Sequence, residues 1–187
     1  MSFAINVCEG LPTADRGRVE SSDGFNEFVA ENSKRLLRAG WLLTGDAGLA
    51  EDLVQATLSK CWRRWVKISP HTRSAYVQRV LVTTWIAGRK RKWAGEIPSE
   101  IGDAQSPTSD ALRAAELRIV LLAAMEPLAP RQRATLVLRY FLDLSEADTA
   151  SALGCSIGSV KTHAARGLAA LRSAPGLGLE LLEGGTR

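Results

Sequence analysis

The sequence predicts an all-α chain of two small helical domains joined by a flexible acidic linker. Three observations carry that expectation. Apolar residues recur at helical spacing along most of the 187 residues. No strand-like alternation of useful length appears. A Gly/Pro/Ser-rich acidic stretch separates two periodic segments and cannot bury enough apolar surface to fold alone. The expected divisions are a mobile tail over 1–22, a first domain over 23–93, a linker over 94–111, a second domain over 112–173 and a C-terminal tail over 174–187.

Composition bounds the class. Hydrophobic residues make up 45% and charged residues 24%, both ordinary for a globular chain. A net charge of +4 permits binding to a polyanion without demanding it. The three cysteines, Cys8, Cys61 and Cys155, form no C-x-x-C pair. Their odd number argues against a disulfide framework and for a reducing, cytoplasmic compartment. The longest clean apolar run, Ile119 to Met125, falls far short of the roughly 20 residues that span a bilayer. Met1 to Cys8 has neither the basic start nor the apolar core of a signal peptide. No membrane is expected.

In the first domain, Asp23 stands where it can cap a helix, and Phe25, Phe28, Val29, Leu36 and Leu37 follow at helical spacing up to Trp41 and Leu43. Thr44-Gly45-Asp46 ends that helix and caps the next. In the second helix Ala50, Leu53, Val54, Thr57, Cys61 and Trp65 share one face. Glu51, Asp52, Gln55, Ser59, Lys60, Arg63 and Arg64 share the other. Lys67 to Arg73, with Pro70 inside, reads as a loop. A third helix starts near Ser74, turns Val77, Val80, Leu81 and Thr84 inward, and ends in the basic run Arg89-Lys90-Arg91-Lys92.

In the second domain, periodicity returns with Leu112, Ile119 and Leu122, breaks at Pro127 and Pro130, and resumes from Arg131 to Leu142. Two short helices, Ser145–Leu153 and Ser156–Arg172, carry the sharpest signal. Ser145 and Asp148 resemble a capping box, although Glu or Gln is the usual partner. Ala150 is small where two helices would cross. Gly154, four residues on, can take the left-handed conformation of a tight inter-helix turn. Val160 would close the core beneath it. This is helix-turn-helix spacing, which presents the second helix to the major groove. Ile157, Val160, Ala164, Leu168 and Leu171 face inward, leaving Gly158, Ser159, Lys161, Thr162, His163 and Arg166 outside. The bland alternative is a helical hairpin with a solvated outer face.

Two stretches resemble a known family. Pro130-Arg131-Gln132-Arg133, Leu138-Arg139-Tyr140, Leu144-Ser145-Glu146-Ala147 and Leu153-Gly154-Cys155-Ser156-Ile157-Gly158-Ser159-Val160-Lys161 look like region 4 of bacterial RNA polymerase sigma factors, the module that reads the −35 promoter element. Ala50-Glu51-Asp52-Leu53-Val54-Gln55, with Thr57 and Trp62, resembles the polymerase-binding helix of region 2. The chain has no room for the folded domain that larger members place between these regions, which points to the extracytoplasmic-function group (ECF, group IV). Trp93-Ala94-Gly95-Glu96-Ile97-Pro98 resembles its SigE-type actinobacterial branch.

The resemblance implies roles. Glu51, Asp52, Gln55 and Ser59 would face the clamp helices of the largest subunit of core RNA polymerase, and the second domain would meet the flap of the second-largest. Ser156, Ser159, Lys161, Thr162, His163 and Arg166 would contact promoter DNA at −35. The loop with Lys67, His71 and Arg73 would cradle a flipped base of the −10 element. Arg79, Arg89, Lys90, Arg91 and Lys92 would hold the melted strand, since unstacked DNA needs cations along its backbone and a surface for its bases. Trp85 and Trp93 are the stacking candidates among five tryptophans. Ala56, Thr83 and Ala87 depart from the family pattern, which has an acidic residue, Asn and Asp there. The resemblance also leaves room for an anti-sigma factor as a partner. It implies no cofactor, no metal and no small-molecule substrate.

Two rival readings remain at this point. One is an autonomous helix-turn-helix regulator that binds operator DNA without polymerase, against which the Ala50–Gln55 motif stands. The other is an enzyme acting on nucleic acid. For that, His71 and His163 lie far from each other and from any cysteine at metal-ligand spacing, and no P-loop, G-x-S-x-G or dinucleotide fingerprint appears. No enzymatic activity is expected.

Overall fold

A computed structural model describes the backbone over 24–92 and 109–175 and the side chains over 24–89 and 117–175. Seven α-helices occur among these residues: α1 (Phe25–Thr44), α2 (Ala47–Trp62), α3 (Arg73–Lys92), α4 (Ser109–Met125), α5 (Pro130–Leu136), α6 (Glu146–Leu153) and α7 (Ile157–Arg172). No strand occurs among the described residues. The expected tail over 1–22, most of the linker, Asp23, Cys8 and Trp93 lie outside them.

The boundaries follow from local chemistry. Gly24 (φ 77) and Gly45 (φ 82) bracket α1 in left-handed conformations, and the Gly45 N–H donates to the Trp41 carbonyl. One residue later Asp46 starts α2, its Oδ1 accepting from the Leu49 N–H at 2.7 Å. So short a connection folds α2 back along α1. The crossing is close at Gly40, where a Cβ would stand 3.2 Å from the Ala50 carbonyl. Ala50, Leu53, Val54, Thr57 and Cys61 are buried as the pattern required, and Leu58 joins them.

Trp65 fixes the far end of this half. It is 1% exposed. Phe25 meets Trp62 and Trp65 edge-on at 4.8 and 4.9 Å, and Phe28 lies 5.0 Å from Trp65. The Arg73 guanidinium sits 4.5 Å over the Trp65 ring. The expected loop is therefore ordered, built of 3-10 turns at Trp65–Lys67 and Pro70–Thr72.

In the second half α5 runs into a π-helical stretch at Val137–Phe141, followed by Asp143 at φ 58. Ser145 caps α6 by accepting from the Asp148 N–H at 3.0 Å. Gly154 ends α6 at φ 60, and the Cys155 N–H returns to the Ala150 carbonyl at 3.0 Å. Ser156 then caps α7, accepting from the Ser159 N–H at 3.1 Å. A helix-turn-helix thus forms where the spacing placed it, with Ala150 and Val160 buried beneath the turn. Gly167 lets α7 press against α5, since a Cβ there would stand 3.0 Å from Leu136 Cδ1.

Several positions differ from the sequence expectation. Ile119 is 58% exposed and Ile157 45% exposed, although both were expected inside. Helix α4 docks instead through Val120, Leu121, Ala124 and Met125. Ile157 is the first residue of α7, before the helix reaches the core. Trp85, a stacking candidate, is only 5% exposed and belongs to the core. Gln78, which no pattern marked, is buried with its Nε2 donating to Ser74 Oγ at 3.1 Å.

The halves meet. Their buried residues form one continuous apolar cluster, from Leu42 and Leu43 through Leu81 to Leu138, Leu142 and Leu153. Helix α3 lies against α6, and α1 against the π-helical stretch. Arg133 sits at this seam, 4% exposed, and its Nε donates to the Leu42 carbonyl at 2.7 Å. Arg35 and Asp143 pair across the rim at 3.2 Å.

Because Trp65 organises Phe25, Phe28 and Arg73, Trp65→Ala should destabilise the chain by about 3–5 kcal/mol. Denaturant unfolding followed by circular dichroism checks this, and a loss below about 1 kcal/mol would show that the loop is not anchored there.

Candidate nucleic-acid interface

Helix α7 owes its placement to the Gly154 turn and the Ser156 cap. Its buried stripe is Val160, Gly167 and Leu171, with His163, Ala164 and Leu168 half-buried alongside. His163, expected outside, lies three residues after Val160 on that stripe. Its Nδ1 is buried without a hydrogen-bond partner among the described residues. The outer face keeps Ser156, Lys161, Thr162 and Arg166 exposed, with Ser159 half-buried.

These side chains differ in availability. The Ser156 and Ser159 hydroxyls lie 2.9 Å apart, and Thr162 Oγ1 donates to the Gly158 carbonyl at 3.0 Å. Lys161 Nζ is 3.6 Å from Glu146 Oε2 in the first turn of α6. Arg166 has no side-chain partner among the described residues. Its guanidinium is the group on this face most open to a new acceptor. Sequence reasoning missed two features here: the Glu146 restraint on Lys161, and the exposed Ile157 at the start of the helix. The capping position of Ser145 puts Glu146 in the first turn and could have signalled the former.

Helix α2 presents Glu51, Asp52, Gln55 and Ser59, all exposed, opposite its buried stripe. Ala56 is exposed on the same face. At its edge Lys60 Nζ donates to Thr84 Oγ1 at 2.9 Å, tying α2 to α3.

The third group gathers around the 3-10 turns and α3. Lys67, His71 and Arg79 are exposed, and Arg73 is half-buried with its Nε lacking a hydrogen-bond partner among the described residues. A cleft of about 410 Å³ opens beside them, lined by Glu27, Glu31, Asn32, Pro70 and Arg73. Its size suits one small planar group. Glu27, Glu31 and Asn32 come from α1, which sequence reasoning did not connect to the loop. Arg89 is exposed, its guanidinium 5.5 Å from the Trp85 ring. Lys90, Arg91 and Lys92 continue α3, and their side chains lie outside the described residues.

Other chemistry is sparse. No group of three or more His, Cys, Asp or Glu that could hold a metal ion occurs among the described residues. Burial pushes the Cys61 thiol up to about 12, against a smaller opposing effect of Lys60, so it stays protonated. No described helix is long and apolar enough to cross a membrane.

Comparison with known proteins agrees with this arrangement. Residues 118–171 match the family described as sigma-70, region 4. The chain is 37% identical over 152 residues to the RNA polymerase sigma-E factor of Streptomyces coelicolor, covering 79% of this chain and 84% of that protein. It is 30% identical over 148 residues to the ECF RNA polymerase sigma factor SigL of Mycobacterium tuberculosis, covering 76% and 83%. Among solved structures, the sigma factor RpoE in complex with the anti-sigma factor NepR from Bartonella quintana aligns at a TM-score of 0.64 and 25% identity, over 88% of this chain and 99% of that one. With an exposed polar face on α2, a basic α3 and a helix-turn-helix in one chain, and relatives that match most of its length, this chain belongs to the RNA polymerase sigma factors of the extracytoplasmic-function group.

Proposed function

We propose that the chain is the cytoplasmic promoter-recognition subunit of RNA polymerase, without catalytic activity of its own. The observation that carries this is the pairing, in one chain, of an exposed Glu51–Asp52–Gln55–Ser59 face with the outer face of α7. An autonomous operator-binding protein has no use for the first.

In this reading the α2 face binds the clamp helices of the largest subunit. The helix-turn-helix enters the major groove at −35, with its flap-facing side against the second-largest subunit. Arg166 is the base reader on α7, because its fork is unengaged and matches the two acceptors of a guanine edge. Ile157 is exposed at the leading end, where an apolar side chain suits a thymine methyl. Ser156, Ser159 and Thr162, whose hydroxyls are held within the helix, line the phosphate side. At −10 the cleft between α1 and the 3-10 turns takes one flipped base. Asn32 and the two carboxylates are matched to base-edge donors, and Lys67, His71, Arg79 and the Arg89–Lys92 run carry the strand. Trp85 has no part in stacking. RpoE of Bartonella quintana is complexed with an anti-sigma factor, and an anti-sigma factor is proposed as a partner here by that analogy.

Run-off transcription with core polymerase on a promoter library tests the reading. Initiation from a subset of promoters should appear only with the chain present, and the free chain should bind promoter duplex weakly at near-physiological salt. Tight, specific duplex binding without polymerase would favour an operator-binding regulator.

Asp52→Lys should weaken binding to core polymerase by about tenfold or more. Asp52 is exposed, so stability should change by no more than about 0.5 kcal/mol. A loss of helical circular dichroism would instead make Asp52 structural.

Arg166 and Lys161 should separate reading from holding. Arg166→Ala should cost roughly 1–3 kcal/mol at the cognate −35 element and relax preference at one base pair. Lys161→Ala should weaken all promoters about equally and lower the salt slope by about one. Open-complex formation on a −35 library across a salt series makes the comparison. Equal, sequence-blind losses would reduce Arg166 to a phosphate contact.

A further inference from the structure

An unstacked base needs a flat surface to lie on. Of the two tryptophans expected to provide it, Trp85 is buried and Trp93 lies outside the described residues. The cleft beside the 3-10 turns has a plane of another kind. Arg73 lines that cleft, whereas Trp65, 1% exposed, does not. The Arg73 guanidinium lies 4.5 Å over the Trp65 ring, so it stands between the ring and the cleft. Gly24, at φ 77, leaves it room, since a Cβ there would come within 3.1 Å of Arg73 Nη1. Among the described residues Arg73 forms no ion pair, although Glu27 and Glu31 line the same cleft. Its Nε is buried without a hydrogen-bond partner among them. The guanidinium is thus held by its face, against the ring, and not by its edge.

The α1 wall of the cleft is made of acceptors. Asn32 Nδ2 donates to the Phe28 carbonyl at 2.9 Å, which commits the amide nitrogen to its own helix and leaves Oδ1 unpaired. Glu27 and Glu31 are exposed, and a carboxylate only accepts. Adenine, cytosine and guanine each carry an exocyclic amine that can donate to such a wall. Thymine carries carbonyl oxygens on either side of its N3–H and would set oxygen against oxygen. Sites built for a hydrogen-bonding group reject the analogue that lacks it.

We infer that Arg73, backed by Trp65, is the surface on which the captured base stacks, and that Glu31 and Asn32 make this position select an amine-bearing base over thymine. This rests on the reading of the cleft as the site of one flipped −10 base. A guanidinium is planar and stacks on aromatic faces, so one side can lie on the indole and the other on a base. Arg73 therefore differs in kind from Lys67, His71 and Arg79. Those cations follow the strand as charges, and Arg73 serves as a plane.

The test uses core polymerase assembled with the full-length chain. The probe is fork DNA, double-stranded upstream and single-stranded over the non-template −10 element of a promoter from the run-off library. Each −10 position carries in turn A, C, G, T or an abasic site. With the wild-type chain, an abasic site at one position should weaken binding about tenfold, and thymine there should weaken it by about as much. Arg73→Lys keeps the charge and removes the plane. It should bind the intact fork about tenfold more weakly, bind the abasic fork as the wild type does, and leave the salt slope unchanged. Glu31→Gln adds a donor for a thymine carbonyl and should bring thymine to within about threefold of the best base. Wild-type binding by Arg73→Lys overturns the stacking role. So does an equal loss on intact and abasic forks, which is the mark of a damaged fold or a phosphate contact. Thymine bound as tightly as the other bases by the wild type overturns the selection, and an unchanged thymine penalty in Glu31→Gln overturns the part given to Glu31. If no position responds to an abasic site, the base-cleft reading itself fails, whereas a responsive position indifferent to Arg73→Lys removes only the stacking surface.

Discussion

The hydrogen bond from Arg133 to the Leu42 carbonyl joins a helix end to a side chain 91 residues away. Helices leave their last carbonyls unsatisfied, and α1 has no basic residue in its last turn to serve them. Gly45 returns one N–H to Trp41. The carbonyl of Leu42 takes its donor from the other half of the chain. That arrangement follows from size. A segment of about 60 residues buries too little of its surface to be more than marginally stable alone. Packing Leu42 and Leu43 of α1 into one cluster with Leu138 and Leu142 gives both halves a larger core. The buried guanidinium is the polar cost of that shared core, set where the dipole of α1 offsets it most.

The candidate binding faces consist of residues that the fold does not use. On α2 the buried stripe supplies the packing, and Glu51, Asp52, Gln55 and Ser59 stand opposite it. On α7 the hydroxyls of Ser156 and Thr162 are spent on the helix itself. Lys161 leans on Glu146, whereas Arg166 projects a planar donor set with no side-chain partner among the described residues. A face with this gradation can hold DNA through several weak contacts and still take its sequence information from one or two positions.

Periodicity made much of this legible. The stripes of α1 and α2, the Thr44–Asp46 break, the Gly154 turn and the two serine caps all follow from residues within four or five positions of one another. Local chemistry dictates them, and the sequence displays it. What stayed hidden is non-local. Arg133 was visible as part of a family motif, but nothing near it announces a partner in α1. Trp85 looked like a stacking surface because an exposed and a buried tryptophan carry the same letter. His163 fell on the wrong side because it stands three residues after Val160, on the flank of the buried stripe of α7. The cleft beside the 3-10 turns was half legible. Its loop wall was expected from the resemblance, whereas Glu27, Glu31 and Asn32 come from a helix read only for its apolar face.

The irregular backbone between α5 and α6 explains how a helix-turn-helix can be carried rigidly at the edge of a shared core. The π-helical stretch and the left-handed Asp143 would leave a loose joint if their polar groups were unsatisfied. Instead the Leu142 N–H reaches the Val137 carbonyl and the Leu144 N–H reaches the Leu138 carbonyl, each at 2.9 Å. Arg139 donates to the Leu144 carbonyl from the side. Leu142 and Leu144 flank Asp143 and both are buried, so the turn is fastened by packing on either side of its strained residue. Arg131 extends the brace to Leu153, and Gly167 seats α7 directly on Leu136. The contacts within the second half are thus numerous and apolar, and at the seam the shared apolar cluster is joined by one guanidinium and one rim ion pair.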